Sequence, residues 1–304
     1  MGFHFRQFKD LAILPLNGLV KMATYLPEWA GRSLAGSFGL FFKSLYFVPG
    51  NHLRRTAENL CRVIGHSDPR AMYFQIADKM ASAAVLYGTA LRHGPEVVAD
   101  SSAMDEVSYA RCREVLETRG AGMVVTTHCV GSVLAGPYFG REFPSRMLMR
   151  ESKSETRARI ARQYFDKLGI NSIFVRRADP VSLARGILRA FKQGTLVVGT
   201  ADLARRTEDT VQVNVFGQPV WLPAWPSRFA TRRDVPILPL YIRVEGERII
   251  MSVDEPFDEK DLVESTQRWA NSFEQSIRAH PADWVFMFDK RWSRIIAAAA
   301  AELG

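Results

Sequence analysis

The stretch VVTTHCVGSVLAG, residues 124–136, joins an apolar run to a histidine and then to a second apolar segment. The run ends at Thr126 and Thr127 and is rich in β-branched residues, so it predicts a buried strand with His128 at its carboxyl end. Ligands of open α/β sheets bind outside the carboxyl ends of the strands. His128 is therefore a candidate active-site residue.

From residue 104 onward, amphipathic helices alternate with short, nearly continuous apolar runs. This alternation is typical of a sheet that helices cover on both faces. The predicted strands are 122–127, 146–149, 172–175, 196–200, an edge-like 211–216, and a hairpin of 237–244 and 248–253. The predicted helices are 104–119, a helix start at 130–140, 155–168, 180–192, 225–233 and a final long helix at 262–279, with the alanine run 297–301 as a fraying helix end. The pattern predicts an α/β fold with a mixed sheet.

The first hundred residues predict helices instead. Pro27 and Pro49 separate them, Asn51 is placed to cap a helix that ends near Ile64, and 67–69 opens a helix through about residue 91. We therefore expect an N-terminal helical segment over 1–100 and an α/β domain over 101–304. No linker divides them, which favours one continuous structural domain.

The chain has 304 residues and a formal net charge of +8, which favours an anionic partner such as nucleic acid, a lipid surface or a phosphorylated substrate. No helix-turn-helix, zinc-finger or RNA-binding sheet motif is present, so we expect no nucleic-acid partner. The three cysteines Cys61, Cys112 and Cys129 are too few and too scattered for a disulfide framework or a zinc site. We expect a reducing environment and no metal.

No uninterrupted apolar stretch reaches the roughly twenty residues that a membrane-spanning helix needs. We also expect no signal peptide, because Pro15 and Lys21 interrupt the apolar residues near the N-terminus. The segment 33–49 is rich in phenylalanine and carries Lys43, so it suits either a membrane interface or a helix packed on the core. We expect residues 1–50 to bind anionic membranes.

Several short blocks identify a family by their order and approximate spacing. The segment THCVGSVLAG resembles the H-x4-D/E block of bacterial lysophospholipid acyltransferases, and more closely that of the lipid A late acyltransferases. The other blocks that resemble this family are RRTAENL (54–60), Arg150 in MLMRES, FKQGTLVVGTAD (191–202), VNVFGQPVWLPAWPSRFA (213–230), VPILPLYIR (235–243) and HPADWVFMFDKRW (280–292).

The resemblance implies a glycerophosphate-acyltransferase-like fold and an enzyme that is peripheral on the cytoplasmic face of the bacterial inner membrane. It implies transfer of a fatty acyl group from acyl carrier protein or coenzyme A to a hydroxyl or amine of a lipid or specialised metabolite. No other cofactor is implied, and the oligomeric state stays open. In this chemistry His128 removes the proton of the attacking group, and a carboxylate five positions later orients the imidazole.

The chain departs from the family at that carboxylate, because the fifth position after His128 is Val133. Three explanations stay open. Asp202, which follows the predicted strand 196–200 and matches an aspartate common in the family, supplies the acid. Alternatively, His128 acts alone or with Cys129 as an acyl acceptor. Finally, the protein is an inactive relative that binds an acyl chain or an acyl carrier and assists a partner enzyme.

Four residues are assigned to substrate binding: Arg150, Ser132, Arg177 and Arg205. Arg150 follows a predicted strand and suits a phosphate or the thioester oxyanion, although a surface ion pair with a neighbouring glutamate explains it equally. If the resemblance is correct, an apolar groove should open beside His128 and Arg150. The tryptophans fit either a lipid-facing rim or the core; they are Trp221, Trp225, Trp284 and Trp292.

Overall fold

The computed structural model describes residues 25–152, 154–175 and 180–303. Within them, the strands are β1 (Ser102–Met104), β2 (Gly122–Thr126), β3 (Ser145–Arg150), β4 (Ser172–Val175), β5 (Leu196–Thr200), β6 (Thr210–Val215), β7 (Gln218–Pro223), β8 (Ile237–Glu245) and β9 (Arg248–Val253). Arg177 and residues 1–24 of the predicted membrane-binding segment lie outside the described residues.

Seven of these strands form one sheet in the order β1-β9-β8-β2-β5-β3-β4. Every neighbouring pair is parallel except β8 and β9, which form the predicted hairpin. The central strand β2 pairs with β5 in register from Gly122 opposite Leu196 to Thr126 opposite Thr200. The predicted mixed α/β fold is confirmed, and the carboxyl ends of β2 and β5 lie side by side.

Helices surround the sheet and precede it. They are α1 (Glu28–Ser44), α2 (His52–Ile64), α3 (Pro69–His93), α4 (Glu96–Asp100), α5 (Glu106–Arg119), α6 (Gly136–Glu142), α7 (Glu155–Lys167), α8 (Pro180–Lys192), α9 (Trp225–Arg233), α10 (Leu262–Ala279) and α11 (Lys290–Glu302). The predicted caps form, since Asn51 accepts from the Leu53 amide and Asp68 accepts from the Ala71 amide. The predicted N-terminal helical segment is confirmed over the described residues from 25 onward.

Some predicted elements differ in the structure. Strand β6 is not at the edge of the main sheet; it pairs with β7 in a separate antiparallel hairpin whose turn holds Phe216 and Gly217 at positive φ. Helix α10 is not the last, because α11 begins at Lys290 behind the cap of Asp289. Strand β1 was also not predicted, since three residues carry too little periodicity to detect.

The helix predicted from residue 130 begins only at Gly136, and turns fill the interval. Gly131 lies against the hairpin, where an added Cβ would come within 3.2 Å of Ile242, Ile249 and Val244. The chain therefore stays close to the sheet after His128. This irregular turn keeps the histidine at the strand end.

The sheet separates two apolar cores. Met123 and Val125 of β2 pack into the first core, with residues of α2, α3, α10 and α11, whereas Val124 packs into the second, with residues of α4, α5 and α6. Both faces of β2 are buried, which explains its unbroken apolar sequence. The candidate site lies where the strands emerge between these two cores.

Candidate active site

The structure brings His128 and Asp202 together at the carboxyl edge of the sheet. Each residue follows its strand by two positions, and the strands β2 and β5 end in register. The His128 Nδ1 atom lies 2.5 Å from the Asp202 Oδ1 atom, and the His128 backbone amide donates to Oδ2 over 3.0 Å. Asp202 thus occupies the role of an imidazole-orienting carboxylate that Val133 cannot fill.

Asp202 is fully buried, yet both of its carboxylate oxygens and its carbonyl have hydrogen-bond partners. The Trp284 indole Nε1–H donates to Oδ2 over 3.0 Å, and the Trp292 indole Nε1–H donates to the Asp202 carbonyl over 2.6 Å. A buried carboxylate is tolerated when N–H groups surround it, because they replace the water that it loses. The two tryptophans and His128 therefore fix the position of Asp202.

His128 is accessible on its other side. Its side chain is 43% exposed, and its ring stacks on Phe286 with 4.3 Å between the ring centroids. Because a carboxylate can only accept, the neutral form of the imidazole carries its proton on the Nδ1 atom and leaves the Nε2 atom as an acceptor. The Thr200 hydroxyl, 3.2 Å from Nε2, then donates to it. A basic nitrogen on this partly exposed ring suits removal of a proton from a substrate.

Contacts of Asp283 hold the segment that carries Trp284 in place. The Val130 amide donates to the Asp283 carbonyl over 3.0 Å, and the Asp283 carboxylate accepts from the Val244 amide over 2.8 Å. Lys79 forms an ion pair with the same carboxylate at 3.0 Å. Burial raises the pKa of Asp283, while the Val244 amide and Lys79 oppose the rise. These contacts join the C-terminal segment to the loop after His128.

Cys129 lies on the opposite side from the imidazole. Its side chain packs against the second core, whereas Phe286, on which His128 stacks, packs against the first. Burial raises the pKa of the Cys129 thiol to about 12, so little thiolate forms near neutral pH. These observations disfavour a thioester relay through Cys129.

Ser132 holds the loop together. Its hydroxyl lies 3.0 Å from the Thr127 carbonyl and 2.9 Å from the Cys129 carbonyl, and it accepts from the Cys129 amide over 2.7 Å. These contacts keep the hydroxyl within its own turn. The structure thus gives Ser132 a local role in shaping the segment after His128.

Arg150 and Arg205 line the same cleft, which has a volume of about 720 Å³. The residues that line this cleft are Arg150, Glu151, Ser152, Arg157, Ile160, Ala161, Tyr164, Leu203, Arg205 and Arg291. His128 is not among them, and four arginines make the lining basic. The predicted apolar groove is present at Arg150, because most of the surface that lines this cleft is apolar, although the lining does not extend to His128.

Three residues that support the pair were not predicted from the sequence. Thr200, Trp284 and Phe286 contact His128 or Asp202, and none was assigned. Trp284 and Trp292 are buried in the first core, so the lipid-facing alternative was wrong for these two. The signal that was available is the block 280–292, which resembles the family and contains both tryptophans.

A family model described as bacterial lipid A biosynthesis acyltransferase matches residues 16–294. The chain belongs to this family. The family predicted from the sequence blocks is confirmed, and membership supports acyl transfer to a lipid.

Curated relatives match a shorter region. The phosphatidylinositol mannoside acyltransferases of two Mycobacterium tuberculosis strains, CDC 1551 / Oshkosh and ATCC 25618 / H37Rv, are each 34% identical over 88 residues. The one from Mycolicibacterium smegmatis is 32% identical over 88 residues. The matched region covers 28% of this chain and 28% of each M. tuberculosis protein, well under a third of either. For the M. smegmatis protein the covered share is 29%.

The family is one of membrane-associated lipid acyltransferases. In the parts of the chain that the structure describes, none of the helices has the length and apolar character needed to cross a membrane. Peripheral association fits both findings.

Proposed function

We propose that this protein transfers a fatty acyl group from a carrier thioester, on acyl carrier protein or coenzyme A, to a hydroxyl or amine of a lipid, with His128 as general base. The observation that carries the proposal is the pairing of an exposed imidazole with a fully buried carboxylate, His128 Nδ1 to Asp202 Oδ1 at 2.5 Å. The pair supplies a base in a fixed tautomer, which this chemistry requires.

The reaction begins when the acceptor hydroxyl replaces the Thr200 hydroxyl at the Nε2 atom of His128. The imidazole takes the proton as the acceptor oxygen attacks the thioester carbonyl, and Asp202 stabilises the imidazolium that forms. The tetrahedral intermediate then collapses, the carbon–sulfur bond breaks, and the imidazolium returns the proton to the leaving thiolate. The products are an acyl ester and a free thiol, so no other co-reactant is needed.

A transfer assay with radiolabelled palmitoyl-CoA tests the proposal. The acceptors are a lipid A precursor and a phosphatidylinositol mannoside, chosen because the family and the curated relatives carry those names. His128→Ala should lower the rate at least a hundredfold. Asp209→Asn is the matched control, since Asp209 is an exposed residue that pairs with Arg228. Wild-type rates in His128→Ala contradict the assignment of the base.

A different result supports the inactive alternative. If the unaltered protein binds the carrier thioester but transfers no acyl group to any acceptor, it acts as a non-catalytic relative that holds an acyl carrier. The presence of Asp202 at hydrogen-bonding distance from His128 favours the enzyme over this alternative.

We further propose that the protein binds anionic lipid on the cytoplasmic face of the bacterial inner membrane through α1. The small residues of α1 face the protein, since Ala35 and Gly39 are buried and a Cβ at Gly39 would lie 3.2 Å from Ala81 of α3. The large apolar residues face outward; their exposed fractions are Trp29 72%, Leu34 54%, Phe38 43%, Leu40 68% and Phe41 62%. We call these five residues the apolar face of α1.

Cations lie beside the aromatic rings that directly follow α1, which supports an anionic surface as the partner. Arg54 lies 5.0 Å from the ring centroid of Tyr46, and Arg70 lies 5.1 Å from that of Phe47. An apolar face with a basic border is typical of helices that lie in the membrane interface. Burial of each large side chain contributes about 1.5–3 kcal/mol when it is complete.

Vesicle flotation tests the membrane proposal. Leu34→Ser combined with Phe41→Ser should weaken binding to phosphatidylglycerol vesicles at least tenfold, because two large apolar side chains no longer enter the interface. Val107→Ser, at an exposed valine of α5, is the matched control. Raising the salt concentration should weaken the electrostatic share of binding in all variants. Equal flotation of the double variant and the control contradicts the proposed role of α1.

A further inference from the structure

Thr200 completes a row of three side chains at the candidate active site. The Asp202 carboxylate lies 2.5 Å from the Nδ1 atom of His128, and the Thr200 hydroxyl lies 3.2 Å from the Nε2 atom on the other side of the same ring. A hydroxyl, an imidazole and a carboxylate in this order are the arrangement by which serine proteases activate their nucleophile. Direct transfer to a lipid uses only the last two groups, so the hydroxyl has no reaction of its own in it.

The sheet holds the Thr200 hydroxyl at the imidazole. Thr200 is the last residue of β5 and pairs in register with Thr126, the last residue of β2. Because threonine is branched at Cβ, its side chain has few rotamers on a strand. The ring of His128 is held in turn by Asp202 and by its stacking on Phe286. Nucleophile and base therefore keep their relative position without help from a substrate.

The other hydroxyl and thiol groups beside His128 make contacts elsewhere. The Thr127 hydroxyl and the Cys129 thiol lie 3.0 Å apart, and burial raises the pKa of that thiol to about 12. The Ser132 hydroxyl contacts the carbonyls of Thr127 and Cys129. Thr200, in contrast, contacts the basic nitrogen itself and is partly exposed. Its hydroxyl is the one that His128 is placed to activate.

We propose that Thr200 is a covalent acyl acceptor, and that the protein hydrolyses acyl thioesters through an acyl-threonine intermediate when no lipid acceptor is bound. The proposal rests on His128 as the base of the proposed function. With no acceptor hydroxyl at the Nε2 atom, the hydroxyl that a bound thioester meets there is that of Thr200. The substrate of this further activity is the carrier thioester alone.

The activity has two steps, and water is its only co-reactant. In the first step His128 takes the proton of the Thr200 hydroxyl as the oxygen attacks the thioester carbonyl. The carbon–sulfur bond breaks, and the imidazolium gives its proton to the leaving thiolate. In the second step a water molecule loses a proton to His128 and attacks the ester, and the imidazolium returns the proton to the Thr200 oxygen. The products are a fatty acid and a free thiol.

Incubation with palmitoyl-CoA alone tests the intermediate. After an acid quench, intact-mass spectrometry should show protein that is heavier by one palmitoyl group, and peptide mapping should place that group on Thr200. The adduct should resist neutral hydroxylamine, which cleaves thioesters, so an ester on Thr200 is distinguished from an acylated Cys129. Absence of the adduct, or its location on Cys129, overturns the proposal.

Variants of Thr200 test whether hydrolysis passes through the intermediate. Thr200→Val keeps the shape of the side chain and removes the hydroxyl, so hydrolysis of palmitoyl-CoA should fall about a hundredfold. Thr200→Ser keeps a hydroxyl and should retain both the adduct and the hydrolysis. Thr118→Val, at an exposed threonine of α5, makes the same change away from the site and is the matched control.

Direct attack by water predicts a different result for Thr200→Val. Removal of the hydroxyl then opens the Nε2 atom to water, so the variant would hydrolyse palmitoyl-CoA at least as fast as the unaltered protein. That outcome overturns the proposal. Lipid transfer is measured separately: transfer without any adduct keeps the proposed function and refutes the acyl-threonine. An adduct on Thr200 without transfer to any lipid does the reverse.

Discussion

Asp202→Asn should abolish catalysis by reversing the tautomer of His128. In the structure the Oδ2 atom accepts from both the His128 amide and the Trp284 indole, each over 3.0 Å. An NH₂ group in that position would face two N–H donors, so the asparagine must place its oxygen there. Its NH₂ group then lies against Nδ1, where the distance to Oδ1 is 2.5 Å. The imidazole must accept at Nδ1, so its proton moves to Nε2.

An Nε2–H group cannot take a proton from the acceptor hydroxyl, so the loss should be large. The same change in the serine-protease template lowers the rate on the order of ten-thousand-fold, and we expect a comparable loss here. The volume and most hydrogen bonds of the side chain are retained, so the melting temperature should change little.

Two measurements test this reasoning. The palmitoyl transfer rate gives the loss, with Asp209→Asn as the control at an exposed aspartate in the same loop region. Nitrogen NMR of labelled histidine gives the tautomer directly, with Nδ1–H expected in the unaltered protein and Nε2–H in the variant. Retention of more than a tenth of the activity, or an unchanged tautomer, refutes the reasoning.

Four further changes have definite expected outcomes. Trp284→Phe removes one N–H donor from the Asp202 carboxylate. Because a hydrogen bond to a charged group contributes about 1.5–3 kcal/mol, kcat should be at least tenfold lower with little change in KM, as measured by steady-state kinetics. Cys129→Ala should keep the transfer rate within about threefold of that of the unaltered protein, because the raised pKa of the thiol keeps it protonated. A hundredfold loss would instead support a thioester relay through Cys129. Val133→Glu should lower the melting temperature without raising activity, since Val133 packs against the second core, and a gain in transfer would contradict the relocation of the acid. Burial and Arg243 lower the pKa of His280 below its usual 6.5. Its contribution to stability is therefore present above that pH and is lost as the pH falls. The melting temperature of His280→Gln should fall less between pH 7.5 and 5.5 than that of the unaltered protein.

The regular elements were predictable because their signals are local. The helix caps at Asn51 and Asp68, and the unbroken apolar runs of β2 and β5, follow from the residues themselves. Elements that depend on distant partners were not predictable. The three-residue β1 exists because it pairs with β9, 147 residues later. Turns rather than a helix follow His128 because Gly131 packs against the β8–β9 hairpin.

The residues of the candidate site also fall into two groups: those that local sequence indicates and those whose roles depend on distant contacts. The sequence alone indicated the family, His128 as the candidate base and the missing acid at Val133, and it offered Asp202 as one of three explanations, because a strand end marks where a side chain emerges. Only the tertiary structure decided that Trp284 and Trp292 hold Asp202 and are not a lipid-facing rim. Their indole N–H groups lie 82 and 90 residues from Asp202 along the chain. No local pattern encodes a contact of that span, because it forms only when the C-terminal segment packs into the core beside β5.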